Sequence, residues 1–151
     1  MLTCTNPHDI THNRRLCKIV MGKEMKSLMV LIAGPYRGGT GNDPVLMRLN
    51  LDFLEDVALR VWGKGHTPII GEWLALPLMR RAGSRFVGDA IYEEMSYSVA
   101  HRVLERCDAV LRVGGASRGA DQDVALAKKL GLMFFSAVED IPAGQISAEA
   151  V

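Results

Sequence analysis

One carboxylate, one serine and two glycine-rich turns carry the chemistry this chain could do. Ser117-Arg118-Gly119-Ala120-Asp121-Gln122-Asp123 follows an apolar run from Asp108 to Val113 and a Gly114-Gly115 pair, and it opens a helical pattern that ends at Leu130-Gly131. A strand, a glycine turn and a helix start in that order bring backbone N–H groups and the helix dipole to one point, which favours an anion such as a phosphate. Ser117 and Gly119 stand where such an anion would be held. Asp123 lies just inside the helix and is placed to face the same crevice, as a buried nucleophile would be. A carboxylate there can attack an anomeric carbon and form a covalent glycosyl intermediate. The same residues also admit a plainer reading. Serine is a favoured helix cap, and Asp121 and Asp123 suit the first turns of a helix.

A similar junction stands near the front, where Leu28-Met29-Val30-Leu31-Ile32-Ala33 runs into Gly34-Pro35-Tyr36-Arg37-Gly38-Gly39-Thr40-Gly41. Glycine lets the backbone approach a ligand, and Arg37 can pair with a phosphate or carboxylate through two parallel hydrogen bonds. The loop is neither a Walker A loop nor a dinucleotide fingerprint, since both the Lys-Ser/Thr pair and the G-x-G-x-x-G spacing are missing. Its alternative is a solvated turn with an exposed arginine. Two such junctions point to a small-molecule site at the carboxyl edge of a parallel sheet. Both tryptophans read first as core, with Trp73 the better candidate for stacking on a base because it follows a strand end and so lies on that edge; Met79, Met95 and Met133 read as core filling. His101 precedes the third strand and either reaches the crevice or lies on the surface.

Strands and helices alternate along the chain. Leu28 to Ala33 reads as a strand buried on both faces. Asp43-Pro44 reads as cap and first residue of a helix whose buried face is Leu46, Leu49, Phe53, Val57 and Val61, closed by Gly63 and Gly65. Thr67 to Ile70 is a short second strand. Trp73 to Met79 suits a short helix, Ala82 to Arg85 a loop, and Asp89 to Cys107 a helix with Ile91, Met95, Val99, Val103 and Cys107 on one face. Asp108 to Val113, Gly119 to Leu130 and Leu132 to Phe135 complete a strand, a helix and a fourth strand. The pattern predicts one α/β domain over 27–142, with a doubly wound parallel sheet and right-handed crossovers that put helices on both faces. Residues 1–26 read as a poorly ordered basic extension, within which Met21 or Met25 could be the true start, and 143–151 as a flexible tail.

With 151 residues, 48% hydrophobic, 23% charged and a formal net charge of +1, the chain is an ordinary globular sequence without an electrostatic pull toward nucleic acid or acidic membranes. No apolar run approaches the roughly 20 residues that cross a bilayer. The Leu28–Ala33 run is too short for a signal peptide and leads into a poor cleavage site. The three cysteines, Cys4, Cys17 and Cys107, fit no compact disulfide framework. Reduced thiols and a cytoplasmic address are the expectation. Cys4, His8, His12 and Cys17 have no strong zinc spacing, so no metal site is expected of them.

Taken together, the junctions resemble the nucleoside 2-deoxyribosyltransferase-like superfamily, nearest its DUF4406 branch and the nucleoside 5′-monophosphate N-glycosidases. The resemblance rests on Val30-Leu31-Ile32-Ala33-Gly34-Pro35-Tyr36, on Gly65-His66-Thr67-Pro68, on Cys107-Asp108-Ala109-Val110, and on Ser117-Arg118-Gly119-Ala120 followed by Ala127, Leu130 and Gly131. It implies a flavodoxin-like fold, a homo-oligomer, a nucleoside or nucleotide N-glycosidic bond as substrate, and no metal or organic cofactor. It also implies that Tyr36, Arg37, Gly38 and Gly39 line the sugar or phosphate, that Ser117 and Gly119 hold a 5′-phosphate, and that Asp123 occupies the place of a nucleophilic glutamate. Two departures stand out. Aspartate is one methylene shorter than glutamate, and Ala100, flanked by His101, stands where the family carries a second acid.

The expected function is therefore an N-glycosidase or deoxyribosyltransferase acting on a nucleoside or nucleoside 5′-monophosphate. Asp123 is its nucleophile, His101 a proton donor or base contact, and Ser117 with Arg37 its phosphate anchors. Two readings stand beside it. One is a non-catalytic nucleotide- or phosphate-binding module with a degenerate active site, which the two replaced acids suggest. The other is a scaffold whose basic N-terminal arm binds a partner or nucleic acid.

Overall fold

The structure, a computed structural model, describes residues 26–145. The expected basic extension (all but residue 26), with Cys4, His8, His12, Cys17, Met21 and Met25, lies outside the described residues, as does 146–151 of the expected tail. Four strands, β1 (Met29–Ala33), β2 (Thr67–Ile69), β3 (Ala109–Arg112) and β4 (Met133–Phe135), form one parallel sheet in the order β2-β1-β3-β4. The helices are α1 (Pro44–Gly63), α2 (Gly71–Arg81), α3 (Ala90–Leu104) and α4 (Arg118–Lys129), followed by a 3-10 turn, Val138–Asp140. Val30 pairs with Ala109, Met29 with Thr67 and Ala109 with Met133. Asp108 extends the β1–β3 pairing by one step, its carboxylate accepting the Met29 N–H at 2.9 Å. The expected single-domain, doubly wound α/β architecture is what the chain forms.

Alternation along β1 and β3 explains the layers. Val30, Ile32, Ala109 and Leu111 turn to one face and pack with Leu51, Leu54, Val57 and Val61 of α1. Leu31, Ala33 and Val110 turn to the other and pack with Leu104 of α3 and Ala120 and Ala127 of α4. α2 and α3 share a third cluster, Ala75, Met79 and Tyr92, against which Met95 and Val99 pack. Both central strands are therefore apolar on both faces, as parallel strands under two helical layers must be. Among the described residues no helix is long and apolar enough to cross a membrane.

Two element-level expectations need correction. The buried stripe of α1 is Met47, Leu51, Leu54, Val57, Ala58 and Val61. Leu46, Leu49 and Phe53 are 43%, 57% and 45% exposed. The helix is turned by about one residue from the expected face, because two neighbouring stripes satisfy the same three-and-four spacing. Asn50 helps set the rotation, its amide donating to the Tyr36 carbonyl at 2.9 Å. In α3 the helix stops at Leu104, so Cys107 lies in the following turn. There it is buried, and burial pushes its thiol up to about 11, which makes it an inert packing group.

The end of the described chain folds back on the α1 C-terminus. Lys64 Nζ donates to the carbonyls of Val138 and Ile141, both at 2.7 Å, and the Gly144 N–H donates to the Lys64 carbonyl at 2.7 Å. His66, 1% exposed, accepts from the Leu28 N–H through Nδ1 and bonds the Pro142 carbonyl through Nε2. That pairing assigns His66 a structural role as a neutral imidazole protonated on Nε2.

Candidate active site

A parallel sheet whose central strands send their chains to opposite faces opens a crevice between them at their carboxyl ends. Here β1 leads to α1 on one face and β3 leads to α4 on the other, so the crevice lies above the β1–β3 pair. It holds a cavity of about 530 Å³, within the range of small-molecule sites. Four segments build its wall: the end of β1 with the loop from Gly34 to Asn42, the start of α2 at Gly71-Glu72, one side of α3, and the start of α4 from Ser117 to Asp123.

The loop after β1 is held by its own side chains. Thr40 Oγ1 donates to the Arg37 carbonyl at 2.7 Å, and Asn50 ties the Tyr36 and Gly38 carbonyls to α1. Arg37 reaches across the cavity mouth. Its Nε donates to Asn42 Oδ1 at 2.7 Å, its Nη1 pairs with Glu93, and its guanidinium lies 5.7 Å from the Tyr92 ring centre. The Arg37–Glu93 pair is partly exposed, so it gives way readily to a more highly charged anion. On the facing side, Ser117 caps α4. Its Oγ accepts the Ala120 N–H at 3.2 Å, which leaves the hydroxyl hydrogen to donate to a ligand. The plain cap and the ligand-holding role are therefore compatible in one residue.

Asp123 lines the cavity, and its Oδ1 is buried without a hydrogen-bond partner among the described residues. Burial, and then the charge of Glu72, push its carboxyl up to about 7. Glu72 lines the same cavity, and burial raises its carboxyl as well, partly offset by a hydrogen bond from its own backbone N–H. Tyr36 and Tyr92 are also raised, first by burial and in both cases by the negative charge of Glu72. Two half-buried carboxyls, one raised by the charge of the other, with the Tyr36 and Tyr92 phenols on the same wall, are what a proton-handling centre needs.

The structure brings Tyr36, Arg37, Gly38, Ser117, Gly119 and Asp123 around one cavity, and three other sequence candidates lie elsewhere. Gly39 is outside the wall, in the turn beyond Gly38 with φ +75°. Trp73 is 38% exposed and turns toward α1, where its indole N–H donates to Glu55 at 3.0 Å. One residue of helix rotation separates it from Glu72, which takes the cavity side. His101 follows the cavity-lining Ala100 on α3 by one residue and instead lines an outer groove with Gln122, Leu126 and Lys129.

The residues that motif reasoning misses are Glu72, Tyr92 and Tyr97. The only sequence hint at Glu72 is that Ile69-Ile70-Gly71-Glu72, where β2 runs into α2, is one more strand–glycine–helix junction, and a glutamate at such a helix start ordinarily reads as solvated. Moreover, a Cβ placed on Gly71 would meet the Ala100 Cβ at 3.5 Å. The start of α2 thus packs on α3 at Ala100, and Glu72 and Ala100 both line the cavity. No protein-family model matches the chain, and neither does any curated protein.

Proposed function

We propose that the protein cleaves or transfers the N-glycosidic bond of a nucleoside or nucleoside 5′-monophosphate. The observation that carries this reading is one cavity holding both halves of the required chemistry. An arginine and a capped helix start suit a phosphate or sugar, and a pair of half-buried carboxyls suits an anomeric carbon and its leaving base. Asp123 is a catalytic residue in this reading, and Arg37 with Ser117 anchors the phosphate. Arg37 exchanges Glu93 for the incoming phosphate, which couples substrate entry to release of that pair.

The test is incubation with a panel of ribo- and deoxyribonucleosides and their 5′-monophosphates, followed by chromatography for free base. Free base is the expected result, with monophosphates ahead of nucleosides. Exchange of an added free base into the product marks transfer rather than hydrolysis. Binding of the panel without base release would instead favour the non-catalytic ligand-binding module, which the preformed Arg37–Glu93 contact would then serve as a binding switch.

A further inference from the structure

We infer that Glu72 is the attacking carboxylate of this cavity and that Asp123 is its proton donor, the reverse of the role that the family resemblance implies for Asp123. The inference rests on the N-glycosidic reading above and divides the work between the two carboxyls.

Placement separates them. Glu72 is the second residue of α2, inside the first turn, where the positive end of the helix dipole favours a negative charge. Burial raises its carboxyl, and a hydrogen bond from its own backbone N–H works against that rise in favour of the ionised form. Asp123 lies further along α4, past the first turn, and its Oδ1 is buried with no partner among the described residues. An oxygen so placed is better tolerated as part of a neutral carboxylic acid than of a carboxylate. The proton held on Asp123 up to about 7 agrees with that placement.

Reach points the same way. The aspartate side chain falls short of a glutamate by about 1 Å, a displacement that can cost a nucleophile about 100-fold in rate. Glu72 has the longer side chain and enters from the α2 wall of the cavity. The charged and titratable groups facing the pair are Tyr36 and Arg37 from the first loop, Tyr92, Glu93 and Tyr97 from α3, and Arg118 from α4. The pair titrates as a unit, and its working state holds one proton.

The chemistry balances with water as the only co-reactant. A Glu72 carboxylate oxygen bonds to C1′ while the C1′–N bond breaks. The electron pair of that bond goes to the base nitrogen, which takes the proton from Asp123. Free base and a glycosyl ester of Glu72 result. Water then gives its proton to the Asp123 carboxylate as its oxygen bonds to C1′, and the ester electrons return to Glu72.

A leaving group that needs no proton separates the two roles. Guanosine 5′-monophosphate and its 2′-deoxy form require protonation of the base, whereas their N7-methyl derivatives release a neutral base unaided. In the first turnover, where base leaves before water is used, Asp123→Asn is expected to release base about 100-fold or more slowly from the unmethylated nucleotides, the usual scale of general acid catalysis, and less than about tenfold more slowly from the methylated ones. Its activity on the methylated substrates also loses the decline above about pH 7 that the wild type shows on the unmethylated ones. Glu72→Gln is expected to lose about 1,000-fold or more on both substrate types, in line with removal of a nucleophile.

A cooperative thermal melt confirms that each variant is folded. Should Glu72→Gln fail to fold, Glu72→Asp retains the charge and is expected to lose activity on both substrate types. The opposite pattern, with Glu72→Gln rescued by methylation and Asp123→Asn not, overturns the assignment, and so do equal losses in both variants. Wild-type protein that releases no base from any of these substrates overturns the N-glycosidic reading and this one together. Wild-type activity with the opposite variant pattern overturns only the division of roles.

Discussion

The loop after β1 and the loop after β3 look alike as sequence, each a run of small residues between an apolar strand and a helix, yet they are built differently. The first loop sends its arginine over the cavity, where Arg37 is held by Asn42 and Glu93 through partly exposed contacts. The second is braced from behind. Arg112, at the end of β3, donates to the carbonyls of Val113 at 2.5 Å and Gly115 at 2.7 Å, and pairs with Asp121 at 3.1 Å. Arg112 is absent from the cavity wall. The two loops also lie against each other. A Cβ on Gly38 would come within 2.9 Å of the Ala116 carbonyl, and one on Gly114 within 2.8 Å of Pro35 Cδ. Glycine at these two positions therefore serves loop-to-loop packing as much as ligand approach. A glycine-rich turn after a strand marks the place of a site, and the direction of its arginine tells which turn meets the ligand.

The strongest break of this comparison is Gly114→Ala. Gly114 has φ +74° and almost touches Pro35, so a methyl group meets both backbone strain and a close neighbour. A loss of about 3 kcal/mol is expected, the sum of a left-handed penalty and local overpacking. Chemical denaturation reads it directly. A loss below about 1 kcal/mol would mean that the two loops are not tightly joined and that the packing account is wrong.

The loops also deliver opposite charges, an arginine from the first and, one helix turn beyond the second, the carboxyl of Asp123. The carboxyl has the larger effect on stability. Its folded value, about 7, lies above the ordinary 3.8. The folded state therefore binds more protons than the unfolded state between those values. Stability falls as pH rises through that window, and none of this loss is present below about pH 4. Asp123→Asn flattens the slope. At about 1.4 kcal/mol per unit the ideal gain is about 4 kcal/mol. Partial access to solvent reduces the expected gain to about 2 kcal/mol at pH 8, with almost none at pH 4. Melts of both proteins across that range check it, and equal slopes would remove the case for a buried acid.

How much of this was legible follows from the same physics. Continuous apolar runs such as Val30–Ala33 and Ala109–Leu111 could only be strands covered on both faces, so the architecture and the position of the crevice were readable. Tyr36, Arg37, Ser117 and Asp123 were readable because they sit at strand ends, where topology converges. The rotation of α1 was not, because Leu46-Leu49-Phe53 and Met47-Leu51-Leu54 satisfy one period equally well. Nor was Glu72. A glutamate at the start of a helix is ordinarily a solvated residue favoured by the dipole, and only the packing of α2 on Ala100 turns it into the cavity. Trp73 failed for the complementary reason, since neighbouring residues of one helix face different sides.

Arg112→Met sharpens the contrast from the scaffold side. The substitution keeps most of the stem and removes the bonds to the Val113 and Gly115 carbonyls and to Asp121. These carbonyls are near solvent and recover part of their bonding from water, so a loss of about 1–1.5 kcal/mol is expected. Hydrogen exchange at Gly114 to Ser117 should quicken while the first loop stays as it was. Uniform quickening of both loops would show that they act as one unit rather than as scaffold and ligand arm.

The smallest effect on stability belongs to Arg37→Met, and its smallness is the point. Both partners of the Arg37–Glu93 pair are exposed by more than a third, so removing it should change stability by less than about 0.5 kcal/mol. Nucleoside 5′-monophosphate affinity, in contrast, should fall about tenfold or more, while affinity for the corresponding nucleoside should change little, because only the phosphate uses a guanidinium. Calorimetric titration with a nucleotide and its nucleoside measures both. Equal losses for the two ligands would place Arg37 on the sugar or base instead. A large stability loss with unchanged binding would make it a second brace, like Arg112, and would erase the difference between the two loops.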